Sequence, residues 1–175
     1  MIYQTKAGSV DHIWTPWRMK YIQENHEDMG CIFCLAANAE DDLKHLVFYR
    51  GKYCYMILNR YPYTSGHVMS VPYEHEAHLQ NLSPEVRAEM MALTTRAVEI
   101  LQSVYQPDGF NVGLNLGEMA GAGVEEHLHM HIVPRWAGDT NFMSSISGTR
   151  VLPESLPETY TRVKAEWDKF SSSIK

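Results

Sequence analysis

The segment Glu125-Glu126-His127-Leu128-His129-Met130-His131-Ile132-Val133 places three of the chain's nine histidines on every second position. In an extended strand, alternate side chains share a face, roughly 6.5–7 Å apart. His127, His129 and His131 would then line one face, and Leu128, Met130 and Ile132 the other. Three imidazoles in a row suit a metal cluster, since histidine is a common metal ligand near neutral pH. They also suit a division of labour in which one histidine is a nucleophile and the others hold a metal or a phosphate. An ordinary half-buried strand would carry Thr, Lys or Glu on that face.

A second chemistry-bearing pair stands upstream. Cys31-Ile32-Phe33-Cys34 has the CxxC spacing that lets two thiolates grip one tetrahedral metal from a single turn. A CxxC can equally be a redox pair or coincidence. A zinc site needs two more ligands. His75 lies three residues after Pro72, where a strand is expected to end, and His78 is an alternative close by. With His127 the set Cys31, Cys34, His75 and His127 is Cys₂His₂, which suits Zn²⁺. Four protein ligands close the coordination sphere, so such a zinc would be structural. Cys54, inside an apolar strand, reads as a buried small residue.

These residues have to be carried by a scaffold. The chain has 175 residues, enough for one domain with a sizeable core. Its expected parts are an N-terminal extension at 1–30 with the aromatic cluster Trp14 to Tyr21, a core at 31–150 and a C-terminal helix within 151–175. Strands are expected at Leu46–Arg50, Tyr53–Leu58, Val68–Val71 and Phe110–Leu116, with a hairpin turn at Gly51-Lys52 and loops at Asn59–Gly66 and Ala120–Gly123. Ser83 and Pro84 open the clearest helix, to Tyr105, whose apolar stripe is Val86, Met90, Leu93, Ala97, Ile100 and Val104. A last helix, Pro157 to Phe170, places Tyr160, Val163, Trp167 and Phe170 on one side. Strands, a long helix, more strands and a helix make an α+β fold with a mainly antiparallel sheet.

A formal net charge of −6 and a pI near 5.8 speak against a nucleic-acid or membrane-surface partner. No apolar run approaches the ~20 residues of a membrane span, the first residues lack the apolar core expected of a signal peptide, and three cysteines do not suggest a disulfide framework. A cytoplasmic protein is expected.

The histidine segment matches the His-φ-His-φ-His-φ-φ motif of the histidine triad (HIT) superfamily. Cys31-Ile32-Phe33-Cys34 resembles the opening of its zinc-binding members. Asn59-Arg60-Tyr61-Pro62, followed by Gly66-His67 through Pro72 to His75, resembles its N-x-x-P and G-H-x-x-x-x-P-x-x-H segment. Trp14-Thr15-Pro16, Ala120 to Gly123, and Pro134 to Met143 are similar to the bacterial branch of diadenosine tetraphosphate phosphorylases. The likeness runs from about Trp14 to Leu156. One departure stands out: where many members carry a Gly-Gln pair a few residues before the first triad histidine, the corresponding stretch here is Ala122-Gly123-Val124-Glu125-Glu126, which leaves the phosphate contact to the backbone of the glycine-rich loop.

The resemblance implies a HIT-like fold and a homodimer joined sheet edge to sheet edge, with pairing into tetramers open. It also implies zinc on Cys31, Cys34, His75 and His127. The expected mechanism has His129 as nucleophile on an α-phosphorus and His131 donating to a phosphate oxygen. Asn59 would bind the ribose, Asn115 a phosphate, and Ser147 and Gly148 the outer phosphates of a dinucleoside polyphosphate, with inorganic phosphate or water as acceptor. Phosphoramidate hydrolysis and a non-catalytic nucleotide-binding module are the alternatives. His67 and His78 are expected to satisfy local hydrogen bonds only, and Glu125 and Glu126 to be a solvated acidic pair.

Overall fold

The computed structural model describes residues 30–139 and 153–172. The N-terminal aromatic cluster, Ser147 and Gly148 lie outside these residues. Five strands form one antiparallel sheet: β1 (Val47–Arg50), β2 (Cys54–Leu58), β3 (Val68–Pro72), β4 (Gly109–Leu114) and β5 (Met130–Arg135), in the order β1-β2-β3-β5-β4. Two short helices precede it, α1 (Ile32–Asn38) and α2 (Asp42–His45). The long α3 (Pro84–Tyr105) connects β3 to β4, and α4 (Leu156–Ser172) follows β5. This is the expected α+β arrangement. The short helices α1 and α2 were not legible, because seven and four residues are too few to show a helical period.

The two faces of the sheet do different work. Cys54 and Met56 of β2, Val68 of β3, and Met130 and Ile132 of β5 share the face covered by α3 and α4, as the register sets them side by side. Cys54 Sγ bonds Val86 O, and Thr94 Oγ1 donates to Met130 Sδ. Val86, Met90, Leu93, Ala97 and Ile100 are buried there, and Ser83 Oγ accepts from Val86 N at the expected N-cap. Tyr160, Val163 and Trp167 of α4 are buried against the same layer, with Trp167 edge-on to Phe48. Burying such a side chain contributes about 1.5–3 kcal/mol, so this layer is the main stabilising element.

The opposite face carries Tyr55, Ile57, Met69, Val71 and His131. Here α1 lies on the sheet. Tyr55 Oη donates to Phe33 O, and the Arg50 guanidinium donates to Ala36 O, Ala37 O and Ala39 O, the carbonyls at the end of α1. An Arg on the last carbonyls satisfies groups that the helix itself leaves unpaired. No helix among the described residues is long and apolar enough to cross a membrane.

Candidate active site and metal centre

The histidine segment is not all strand. The ladder begins at Met130, three residues later than the alternation suggests, and His127 to His129 run irregularly. The reason is Pro72. It ends β3 without an N–H to offer the neighbouring strand. Its carbonyl accepts instead from His127 Nε2–H at 2.9 Å, while Leu128 N–H turns to Glu76 O at 2.8 Å. The break sends the first histidine to one site and leaves the next two at another.

At the first site, Cys31 is the N-cap of α1 and Cys34 lies in its first turn, so both thiols leave the same helix end. His75 comes from the segment just after β3. One donor atom each from Cys31, Cys34, His75 and His127 lies within 4.8 Å of the others. The Sγ to Nδ1 separations are 3.3 Å for Cys31–His127, 3.2 Å for Cys34–His75 and 3.6 Å for Cys34–His127. Tetrahedral Zn²⁺, with Zn–S near 2.3 Å and Zn–N near 2.05 Å, has sulfur-to-nitrogen edges of about 3.5 Å. The four side chains therefore fit a tetrahedral Cys₂His₂ ion. His127, fully buried, has its Nε2 proton fixed by Pro72 O, which turns the Nδ1 lone pair to the cluster, an outer hydrogen bond of the kind that orients metal-binding imidazoles. His78 is not part of it; it pairs with Glu76 on the surface, the local role expected for it.

The second site begins one residue pair further on. His129 Nδ1–H donates to His127 O at 2.8 Å, which leaves the lone pair on Nε2. Burial disfavours the imidazolium and lowers the His129 pKa, partly offset by that hydrogen bond. His131 is set by a chain of donors. Tyr63 N–H donates to His67 Nδ1 at 3.1 Å, so His67 must carry its proton on Nε2 and donate it to His131 Nδ1 at 2.9 Å. That puts the proton of neutral His131 on Nε2. The result is a pair of imidazoles with opposite roles, lone pair on one and N–H on the other. Their rings are T-shaped at 4.8 Å, closer than a flat strand would hold them.

His67 thus makes the local hydrogen bond expected of it, but its partner makes it part of the site. Two aromatic rings also belong to the site. Phe33, between the two cysteines, packs against His127 at 5.4 Å and His129 at 4.8 Å. Tyr63 stacks on His131 at 26° and lies 4.6 Å from His67. A Phe inside CxxC and a Tyr after Pro62 give no periodic signal, so only their neighbours reveal them. Asn59 is near His67, with Oδ1 accepting from Tyr61 N and Nδ2 3.4 Å from a His67 ring nitrogen. Asn115 follows β4 and donates to Gly121 O of the glycine-rich loop at 3.4 Å.

The HIT domain family model matches residues 40–138. The AP-4-A phosphorylase of Mycobacterium tuberculosis (strain H37Rv) is 41% identical over 170 residues, 93% of this chain and 87% of its own. The bis(5'-nucleosyl)-tetraphosphatase (asymmetrical) of Schizosaccharomyces pombe is 30% identical over 93 residues, 53% of this chain and 50% of its own. Among solved structures, a Zn-bound histidine triad family protein from Mycobacterium smegmatis superposes with a TM-score of 0.66 at 28% identity, covering 83% of this chain and 98% of that one.

Proposed function

The chain belongs to the HIT domain family, and from that premise we propose that it is an enzyme that transfers a nucleotidyl group through His129, acting on diadenosine tetraphosphate with inorganic phosphate as acceptor. The likeness to the M. tuberculosis AP-4-A phosphorylase over nearly the whole chain favours this substrate class. The observation that carries the mechanism is the pairing of opposite tautomers at His129 and His131.

His129 Nε2 attacks the α-phosphorus of one adenosine. A P–N bond forms, the bridging P–O bond breaks, and ATP leaves with the bond's electron pair. His131 Nε2–H donates to the phosphate as charge builds on its oxygens. Inorganic phosphate then attacks the same phosphorus, the P–N bond breaks, ADP departs, and Nε2 recovers its lone pair. Neither histidine exchanges its Nδ1 arrangement in this cycle, so the backbone carbonyl of His127 and the His67 ring hold both tautomers throughout. Asn59 binds the ribose hydroxyls. Asn115 steadies the glycine-rich loop from Gly121 and contacts phosphate, and Ser147 and Gly148 bind the outer phosphates.

Cys31, Cys34, His75 and His127 would hold a zinc ion that ties α1 to the sheet and carries no substrate. The fit of their donor atoms to tetrahedral edges and the Zn-bound M. smegmatis relative support this. A homodimer through β4 completes the reading. That strand ends the order of the sheet among the described residues, and Val112, Leu116 and Met119 are exposed on and just after it.

Product analysis tests the reading. Incubation with diadenosine tetraphosphate should yield ATP and ADP, only when phosphate is present. ATP and AMP without phosphate would replace the phosphorylase reading with a hydrolase.

A further inference from the structure

The Cys31-Ile32-Phe33-Cys34 turn touches the nucleophile twice. Its thiols face His127, whose carbonyl fixes His129, and its phenyl ring rests on the His129 imidazole. The turn also has the geometry of a dithiol. With Cys31 as N-cap and Leu35 N–H bonded to Cys31 O at 3.0 Å, the two residues are one helical turn apart. Helix geometry then sets their Cα atoms about 5 Å apart, inside the window of roughly 4.4–6.8 Å that a disulfide spans. Both thiols are partly accessible, whereas Cys54 is fully buried beneath α3.

We propose that Cys31 and Cys34 form a reversible redox modification site through which a peroxide-class oxidant switches the enzyme off. One sulfur attacks the peroxide, the O–O bond breaks, and a sulfenic acid and one water form. The second thiol attacks that sulfur, the S–S bond forms, and the sulfenic oxygen leaves as a second water. Two thiols lose two electrons and two protons to one peroxide, and a dithiol reductant reverses the change.

Two consequences follow from the contacts. The disulfide withdraws two of the four donors, leaving His75 and His127 with too few ligands to retain an ion; this part rests on the zinc reading above. The S–S bond also strains the seat of the Phe33 ring on His129: the end of α1 is pinned by Arg50 and Phe33 O by Tyr55, so the change concentrates in the side chains of the CxxC turn. The carbonyl and the ring that orient the nucleophile then both lose their support on the CxxC side, while Pro72 O still holds His127 Nε2.

The test uses full-length protein carrying Cys54→Ala, so that only the two thiols of the turn remain. Its metal content is measured after reduction and zinc addition. Stoichiometric hydrogen peroxide is added, the excess removed, and four quantities read: titratable thiols, intact mass, metal passed to a chromogenic chelator, and turnover of diadenosine tetraphosphate. The expected result is loss of both thiols, a mass decrease of two hydrogens with a Cys31–Cys34 linked peptide, metal release, and a fall in turnover on the order of tenfold or more. Dithiothreitol with zinc should restore all four. Thiols that stay titratable, or a disulfide that leaves turnover unchanged, would overturn the proposal. A reduced protein that takes up no zinc would overturn the zinc reading alone, since thiol count, mass and turnover still judge the switch.

Discussion

The two ends of one histidine segment have opposite fates. At His127 the chain leaves the ladder, and the imidazole joins two thiols and a second imidazole in a set that fits a closed tetrahedron. At His129 and His131 the partners are of another kind: a carbonyl, a backbone N–H and a third histidine fix the ring protons. The difference lies in what surrounds each ring, since the residue type is the same. The first end can hold structure and the second can do chemistry, and His127 belongs to both, through its ring and through its carbonyl. If that division is right, substitutions should separate the ends by which measurement they move.

The largest effect should come from His129→Ala, which removes the proposed nucleophile while leaving the Cys31, Cys34, His75 and His127 set intact. Turnover should fall by roughly 10⁴–10⁶-fold, the scale of losing a covalent nucleophile. Metal content and melting temperature should stay near those of the parent. Cys31→Ser should do the reverse first. Emission spectroscopy should show metal lost, and stability should fall by about 2–5 kcal/mol, or several degrees in Tm for a chain of this size.

His67→Phe sharpens the catalytic end. It keeps a ring of similar shape and removes the donor to His131 Nδ1, so either imidazole nitrogen of His131 can take the proton. A drop of about 10–100-fold in kcat, with little change in KM or metal, is the expected outcome. Equal loss in His67→Phe and in a metal-stripped sample of the parent would blur the two ends into one.

The smallest effect is in pH. Burial lowers the His129 pKa from its ordinary 6.5, so the neutral imidazole that the proposed mechanism needs persists below that value. Turnover should hold through pH 6.5 and decline only in more acid solution. The matching stability effect has a definite sign. Below 6.5 the unfolded chain protonates His129 before the folded one does, so stability is full above 6.5 and falls as pH falls toward the folded value. A kcat profile whose acid limb sits above 6.5 would contradict this.

Much of the candidate site was legible because its chemistry-bearing side chains are rare residue types in fixed spacings. Cys31, Cys34, His75 and His127 come together as expected, since a CxxC helix end and the Pro72 break each fix one half of the cluster. The apolar stripes of α3 and α4 were readable for the same reason that they fold, a 3.6-residue period over many turns. What was not legible depends on contacts across the chain. The carbonyl that fixes His129 is a backbone group, identical in every residue. The ring that fixes His131 comes from His67, 64 positions away, and only the register of β3 against β5 brings the two together. The late start of β5 follows from a proline in a different strand, which no reading of the histidine segment alone can reveal.

The central claim is that His129 carries the nucleotide. It is tested most directly by incubating the protein with diadenosine tetraphosphate without phosphate, quenching in alkali where a phosphoramidate survives, and mapping the adenylyl group by peptide mass spectrometry. An adenylyl mass on the peptide containing His129, absent in His129→Ala and discharged to ADP when phosphate is added before the quench, is the predicted result. No adduct under conditions where ATP is released, or an adduct on any other residue, would contradict it.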